Sequence, residues 1–179
     1  MIKEKLIKNF WLLLSLLCFL IILSIFIFYK IKYPSENSFG ERYIKDEIPL
    51  IFPFFPILYL KPLTLIGFLG FLSWCFILEW LEKLFFKLNK KVMKFFFIIV
   101  MLICLWSFYE IMWNFEVWFT IWGKKGGNVD FITIVNPRFN SPLNFLVLTK
   151  SFFLIFGICV YTLYFFYNIL SSSIDRKPL

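Results

Sequence analysis

Histidine, alanine and glutamine are all missing from this chain of 179 residues, and the absence of histidine removes several kinds of chemistry. Without an imidazole there is no histidine-ligated haem, no histidine-containing zinc site and no histidine base. Many redox and hydrolytic membrane enzymes depend on one of these groups. The sequence therefore predicts no cofactor, no metal ligand set and no catalytic residue.

Cysteine is scarce, and its placement excludes a redox centre. The chain has four cysteines, each alone inside an apolar segment: Cys18, Cys75, Cys104 and Cys159. No CxxC pair occurs, so a thioredoxin-like site or an iron–sulfur cluster has no support. We expect all four to behave as small buried hydrophobic residues.

Acidic residues are also few, and the resulting excess of basic residues indicates an anionic binding partner. The chain has 11 Asp and Glu against 19 Lys and Arg, a formal net charge of +8. A basic excess can indicate nucleic acid, but these lysines flank apolar runs instead of lining one helix face. Lipid headgroups explain that distribution better. The sequence predicts the lipid bilayer as a partner, and no nucleic acid.

Apolar residues, in contrast, dominate the chain and set its fold class. They make up 61% of the residues, with a mean hydropathy of +0.82, and come in long runs. The runs predict transmembrane helices near 9–29, 63–86, 95–122 and 142–168. We therefore expect an all-α, polytopic integral membrane protein: a four-transmembrane-helix bundle in a single domain, 1–179, with sequential helices antiparallel. The first helix reads as a retained anchor, because it lacks the cleavage site of a signal peptide.

The two outer-face loops, 30–62 and 123–141, carry the remaining local signals. Four prolines recur too closely for a helix: Pro49, Pro53, Pro56 and Pro62. Irregular apolar backbone belongs at the membrane interface or against protein. We predict an interfacial wrap, with a lid or re-entrant loop as the alternative. In the second loop, residues 129–135 are β-branched and weakly alternating, which predicts a short surface strand.

Polar residues inside the third and fourth runs mark the candidate site. At 100° per residue, Ser107, Glu110 and Asn114 share one stripe of the third helix, while Glu116 is turned about 120° away. In the fourth helix Lys150 shares a face with Tyr161. A lone charge in hydrocarbon costs several kcal/mol, so we predict that Glu110 pairs with Lys150. The outer-face polar set is Glu116, Asn144 and Arg138.

The second helix offers two weaker signals. Glu79 and Glu82 lie one turn apart, as a metal or proton site needs, but lysines follow them closely. A solvated helix end with a Glu79–Lys83 pair is the favoured interpretation. Small residues recur at Gly67, Gly70 and Ser73, a spacing typical of close helix packing.

Charge placement predicts the orientation in the membrane. Ten of the 19 basic residues fall in the N-terminal segment, the connection at 79–94 and the C-terminal tail. These clusters are short, dense and adjacent to helices, which is what the positive-inside rule counts. We expect a multi-pass protein of the cell membrane with both termini in the cytoplasm.

Three functions are compatible with these features. The first is a non-enzymatic accessory or structural subunit of a membrane complex, in which the Glu110–Lys150 pair fixes helix register. The alternative is a small transporter or a proton or ion pathway component using Glu110. The third is an intramembrane enzyme with Glu110 as acid or base and Tyr161 as hydrogen-bond donor, although no nucleophile and base pair supports it.

Overall fold

Four long helices make up most of the part of the chain that the structure describes, and the predicted apolar runs lie within them. The computed structural model describes residues 2–34, 43, 46, 48–52, 55–125 and 142–172. The helices are α1 (Ile2–Lys32), α2 (Pro62–Phe85), α3 (Lys90–Lys125) and α4 (Pro142–Ser172). Proline occupies the first position of α2 and of α4, where its missing N–H has no helical partner to lose. The predicted existence and approximate bounds of all four helices are confirmed.

Each helix is long and apolar enough to cross a membrane. The qualifying segments are Asn9–Lys32, Pro62–Phe85, Lys90–Gly123 and Phe145–Ser171. Within the chain itself, at most 22% of the apolar window of any segment is buried. Most of the apolar surface of these helices therefore faces outward.

The helices lie in a row, with α4 between α2 and α3. The main packings are α1 on α2, α2 on α4, and α4 on α3. The sequence predicts a bundle in which consecutive helices are neighbours, and that expectation is wrong for α2 and α3 over most of their length. Among the described residues, α2 and α3 come together near their connecting turn. There Leu78 of α2, Met93 of α3 and Phe165 of α4 belong to one apolar cluster.

Side-chain contacts fix the directions of the helices. Ser15 contacts Ser73 and Trp11 contacts Phe76, so α1 and α2 are antiparallel. On α3 and α4, Trp106 packs on Phe152 and Trp118 on Phe145, so these two are antiparallel as well.

Helices α2 and α4 are parallel. Three hydrogen-bonded pairs between them are separated by 82, 86 and 88 positions, a nearly constant offset. The start of α1, the α2–α3 turn and the end of α4 therefore lie at one end of the molecule.

A two-stranded antiparallel hairpin precedes α2 where the sequence predicts irregular backbone. Strand β1 (Ile48–Phe52) pairs with β2 (Phe55–Leu60), and the register shifts between Leu50 and Phe52. The segment is non-helical, as the proline spacing predicts, and its position at the membrane interface stays a prediction. Both strands of a two-stranded sheet are edge strands, and an edge tolerates prolines such as Pro49 and Pro56.

Aromatic side chains gather at the C-terminal end of α1. The Tyr29 and Tyr43 rings stack with centroids 4.7 Å apart, and Tyr33 Oη donates a hydrogen bond to Asp46 Oδ2 at 3.3 Å. Burial raises the pKa of the Tyr43 phenol. The first loop therefore returns to α1 before the hairpin begins.

Candidate functional site

The polar stripe of α3 is buried, as its helical spacing predicts. Ser107, Glu110 and Asn114 are 0%, 6% and 2% exposed, whereas Glu116 is exposed. Because α3 packs chiefly on α4, the stripe lies along that interface. Ser107 Oγ donates to the carbonyl oxygen of Cys104 at 2.9 Å, so its hydroxyl is satisfied within its own helix.

The Asn114 amide is the unusual member of this stripe. Neither its Oδ1 nor its Nδ2 has a hydrogen-bond partner among the described residues. A buried polar group without a partner costs about 1–3 kcal/mol. Such a group in a native protein requires an explanation, either structural or functional.

Lys150 lies on the other side of α4 and contacts α2. Its Nζ donates a hydrogen bond to Thr64 Oγ1 at 2.8 Å. The predicted ion pair with Glu110 requires Lys150 to leave Thr64 and cross to the α3 side, and it stays a prediction.

Tyr161 also contacts α2, not the α3 stripe. Its Oη donates to Glu79 Oε1 at 2.7 Å. One turn away, Trp74 Nε1 donates to Thr162 Oγ1 at 2.9 Å. Together with Lys150 and Thr64, these pairs form a ladder of hydrogen bonds along the α2–α4 interface. The five residues of the candidate site are thus divided between two interfaces, with α4 contributing to both.

The structure places Glu79 in a different environment from the one that the sequence predicts. The favoured interpretation is a solvated helix end, but the carboxylate is only partly exposed and accepts the Tyr161 hydrogen bond. The sequence does show that Tyr161 lies on a polar face of α4. It does not show which helix that face meets.

A cavity of about 380 Å³ opens between α2 and α4, and we call it the α2–α4 cavity. Lys150 is the ionisable group in its lining, and the remainder is mostly apolar. Both Gly67 and Gly157 line it, which leaves space between the helices. The lining residues described are Leu63, Thr64, Gly67, Phe68, Phe71, Lys150, Phe153, Leu154 and Gly157.

A second concave surface lies on the outward side of α3, and we call it the α3 outer groove. Its volume is about 580 Å³, and it combines large aromatic side chains with the exposed Glu116 carboxylate. Phe119 and Tyr109 are 70% and 60% exposed. The lining residues described are Tyr109, Met112, Trp113, Phe115, Glu116, Phe119 and Thr120.

No arrangement of the described residues supports metal or thiol chemistry. Within the described ranges, no group of three His, Cys, Asp or Glu residues is arranged to hold a metal ion. The four cysteines are free and buried. Arg138, the predicted strand at 129–135 and the side chain of Asn144 lie outside the part of the chain that the structure describes.

Comparison with known proteins identifies no relative. No family model, curated protein or solved structure matches the chain.

Proposed function

We propose that this chain is a non-enzymatic, multi-pass subunit of a membrane complex. The observation that carries the proposal is the α3 outer groove, a concave aromatic surface with a carboxylate on a helix that α4 covers from one side only. Exposed aromatic side chains in one concavity are typical of protein interfaces, and a carboxylate within a membrane-spanning segment usually faces a partner group.

The interior supports the same function. The polar side chains described between α1, α2 and α4 bond in pairs from helix to helix, as transmembrane packing uses them. The α2–α4 cavity has Lys150 as its ionisable group, and Glu110 is not in its lining. An enzyme needs several chemical groups converging on one pocket.

The charge of Glu116 favours a partner of opposite charge. Glu116 lies seven residues before Gly123, about 10 Å along the helix axis from that end of the span. Two copies of α3 packed about an axis along the membrane normal would bring Glu116 close to its own copy, which like charges disfavour. We infer that the groove receives a transmembrane helix of a different protein, with a lysine or arginine level with Glu116.

The location follows from the same helices. We infer a cell-membrane protein with both termini in the cytoplasm, because the basic clusters of the sequence lie at the end that holds the α2–α3 turn. The hairpin and the connection between α3 and α4 then lie on the outer side.

Site-specific photo-crosslinking in native membranes tests the partner. A photoreactive phenylalanine analogue at Phe119 lies in the groove, and the same analogue at Phe19 lies on the outward face of α1, where the native side chain is 58% exposed. We expect a discrete adduct with a second membrane protein from position 119 and none of the same mass from position 19.

Charge reversal gives the matched control. Glu116→Lys should strongly reduce the adduct, whereas Glu82→Lys, at the exposed end of α2, should leave it unchanged. An adduct with the mass of two copies of this chain would replace the proposed partner with self-association. Equal yields from positions 119 and 19 would remove the support for an interface on α3.

A second function, a proton pathway, is favoured by the Asn114 amide. A buried amide without a protein partner binds water when the site has room, and Asn114 lies one helical turn from Glu110. Water beside a carboxyl group is the arrangement that proton relays use.

Proton flux into proteoliposomes under a potassium diffusion potential tests this pathway. The wild-type protein should conduct above empty liposomes, Glu110→Gln should abolish the flux, and Glu116→Gln should retain it. A wild-type flux equal to that of empty liposomes would eliminate the pathway.

A further inference from the structure

The α2–α4 cavity has a charged end and an apolar end. Lys150 Nζ and Thr64 Oγ1 form the polar end, 2.8 Å apart, and Lys61 is close enough to act electrostatically on Lys150. From there the cavity continues past Gly67 and Phe71 on α2 and Gly157 on α4. Seven residues of helix separate Thr64 from Phe71, about 10 Å along the axis.

With Pro62 at the membrane boundary, as the proposed location implies, the charged end is level with the lipid headgroups. Thr64 is in the first turn of α2, which begins at Pro62, so the Lys150 ammonium is level with the beginning of that membrane segment. The apolar end lies deeper, among side chains that face the hydrocarbon, such as Phe68 and Phe153, which are 57% and 47% exposed. The charged end and the apolar end of the cavity therefore follow the same order as the headgroup and the acyl chains of a phospholipid.

We propose that the α2–α4 cavity binds one anionic phospholipid of the surrounding bilayer. The lipid phosphate accepts a charge-assisted hydrogen bond from Lys150 beside Thr64, and one acyl chain lies along the two glycines. This inference rests on the proposed membrane location but is independent of the α3 partner.

Two features select an anionic lipid over other ligands. Lys61 acts on Lys150 with a charge of the same sign, and a phosphate bound to Lys150 offsets that repulsion. A small soluble anion would bind the charged end but leave the apolar part of the cavity unfilled. A zwitterionic lipid fills the cavity but brings its own cation to Lys150 and Lys61.

Native mass spectrometry of the full chain in mild detergent tests the site. The protein is mixed with equimolar phosphatidylglycerol and phosphatidylcholine of identical acyl chains, and bound lipid is counted. We expect one phosphatidylglycerol per chain to be retained preferentially. Excess inorganic phosphate should not displace it, because the acyl chain supplies part of the affinity.

Two pairs of variants separate the charge from the cavity. Lys150→Met should lower the affinity for phosphatidylglycerol on the order of tenfold, Lys150→Arg should retain it, and Lys87→Met in the exposed α2–α3 turn should not change it. A Cβ at Gly67 lies 4.0 Å from Leu154 Cδ2, whereas one at Gly70 meets nothing within 4 Å. Gly67→Leu should therefore fill the cavity and reduce lipid retention, and Gly70→Leu should not.

The outcomes that overturn the proposal are specific. Equal retention of the two lipids by the wild type, displacement by inorganic phosphate, or unchanged retention in folded Lys150→Met or Gly67→Leu each contradicts it. Size-exclusion chromatography and tryptophan fluorescence report whether each variant is folded. The wild-type comparison of the two lipids decides the question even if every variant fails to fold.

Discussion

At the scale of single residues, the hydrogen bond between Tyr161 and Glu79 joins α4 to α2 at a partly buried carboxylate. The carboxylate is partly buried, and Tyr161 Oη is its described donor at 2.7 Å. Removing the donor leaves a partly buried acceptor without that partner, which costs more than the bond itself contributes. Hydrogen bonds between membrane helices are individually modest, so the effect is measurable but not catastrophic.

We expect Tyr161→Phe to lower the free energy of unfolding by about 1–2 kcal/mol. Tyr164→Phe is the matched control, because Tyr164 is 61% exposed and its substitution should change stability little. Denaturation in mixed micelles, followed by circular dichroism, gives both values. Equal stability of the two variants would show that the Glu79 contact has no energetic role.

For Asn114 we predict a change in the free energy of unfolding of the opposite sign. Its amide is 2% exposed and has no hydrogen-bond partner among the described residues, so Asn114→Leu removes an unsatisfied group while keeping the number and branching of the side-chain heavy atoms. We expect a gain of about 1 kcal/mol in the same unfolding assay. Ser107→Ala serves as control, since that hydroxyl bonds to its own helix and its loss should change little. A destabilised Asn114→Leu would show that the amide does have a partner, either water or protein.

At the scale of elements, α4 organises the fold because each of its two sides packs on a different helix. One side meets α2 in parallel and the other meets α3 antiparallel. Lys150 belongs to the first interface through Thr64, whereas the predicted pair with Glu110 belongs to the second. The Lys150 ammonium group would bond to Thr64 on α2 in the first case and to Glu110 on α3 in the second.

Two double-mutant cycles distinguish these interfaces. Lys150→Met combined with Thr64→Val should show a coupling of about 0.5–1.5 kcal/mol in the free energy of unfolding. Lys150→Met combined with Glu110→Gln tests the ion pair, in which the double variant recovers stability lost by Glu110→Gln alone. A larger coupling with Glu110 than with Thr64 would show that the ion pair, and not the Thr64 hydrogen bond, dominates in the membrane.

At the scale of the whole molecule, the helix directions place the start of α1 and the end of α4 together. The first residues of α1 and the last of α4 lie at the end that holds the α2–α3 turn, because α1 is antiparallel to α2 and α4 is parallel to it. The native cysteines are buried, so we expect them to react little with a maleimide reagent.

Cysteines introduced by Lys5→Cys and Lys177→Cys should react with a membrane-impermeant maleimide from the same side. Lys32→Cys, at the exposed end of α1, should react from the opposite side. Intact cells and inverted vesicles supply the two sides, and we expect the termini to be labelled in inverted vesicles. Labelling of positions 5 and 177 from opposite sides would contradict the fold.

The sequence predicts the features that depend on local composition and misses those that depend on neighbours. An apolar run of sufficient length specifies a helix, which is why all four were found. Helical spacing also separates Glu110 from Glu116. No such rule specifies which helix a face meets, so the sequence does not predict the contacts of Lys150 and Tyr161 with α2. The small-residue stripe divides in the same way: Gly67 approaches Leu154 on α4, whereas Ser73 bonds to Ser15 on α1.

The parallel pairing of α2 and α4 has a consequence for biosynthesis. A ribosome completes α2 long before α4, and the polar groups of α2 find their partners only 82–88 residues later in the chain. Until α4 packs between α2 and α3, the Glu79 carboxylate lacks the hydrogen bond that Tyr161 donates to it in the folded protein. A nascent or truncated chain that ends before Pro142 therefore leaves polar groups of α2 without the partners that α4 supplies in the folded protein.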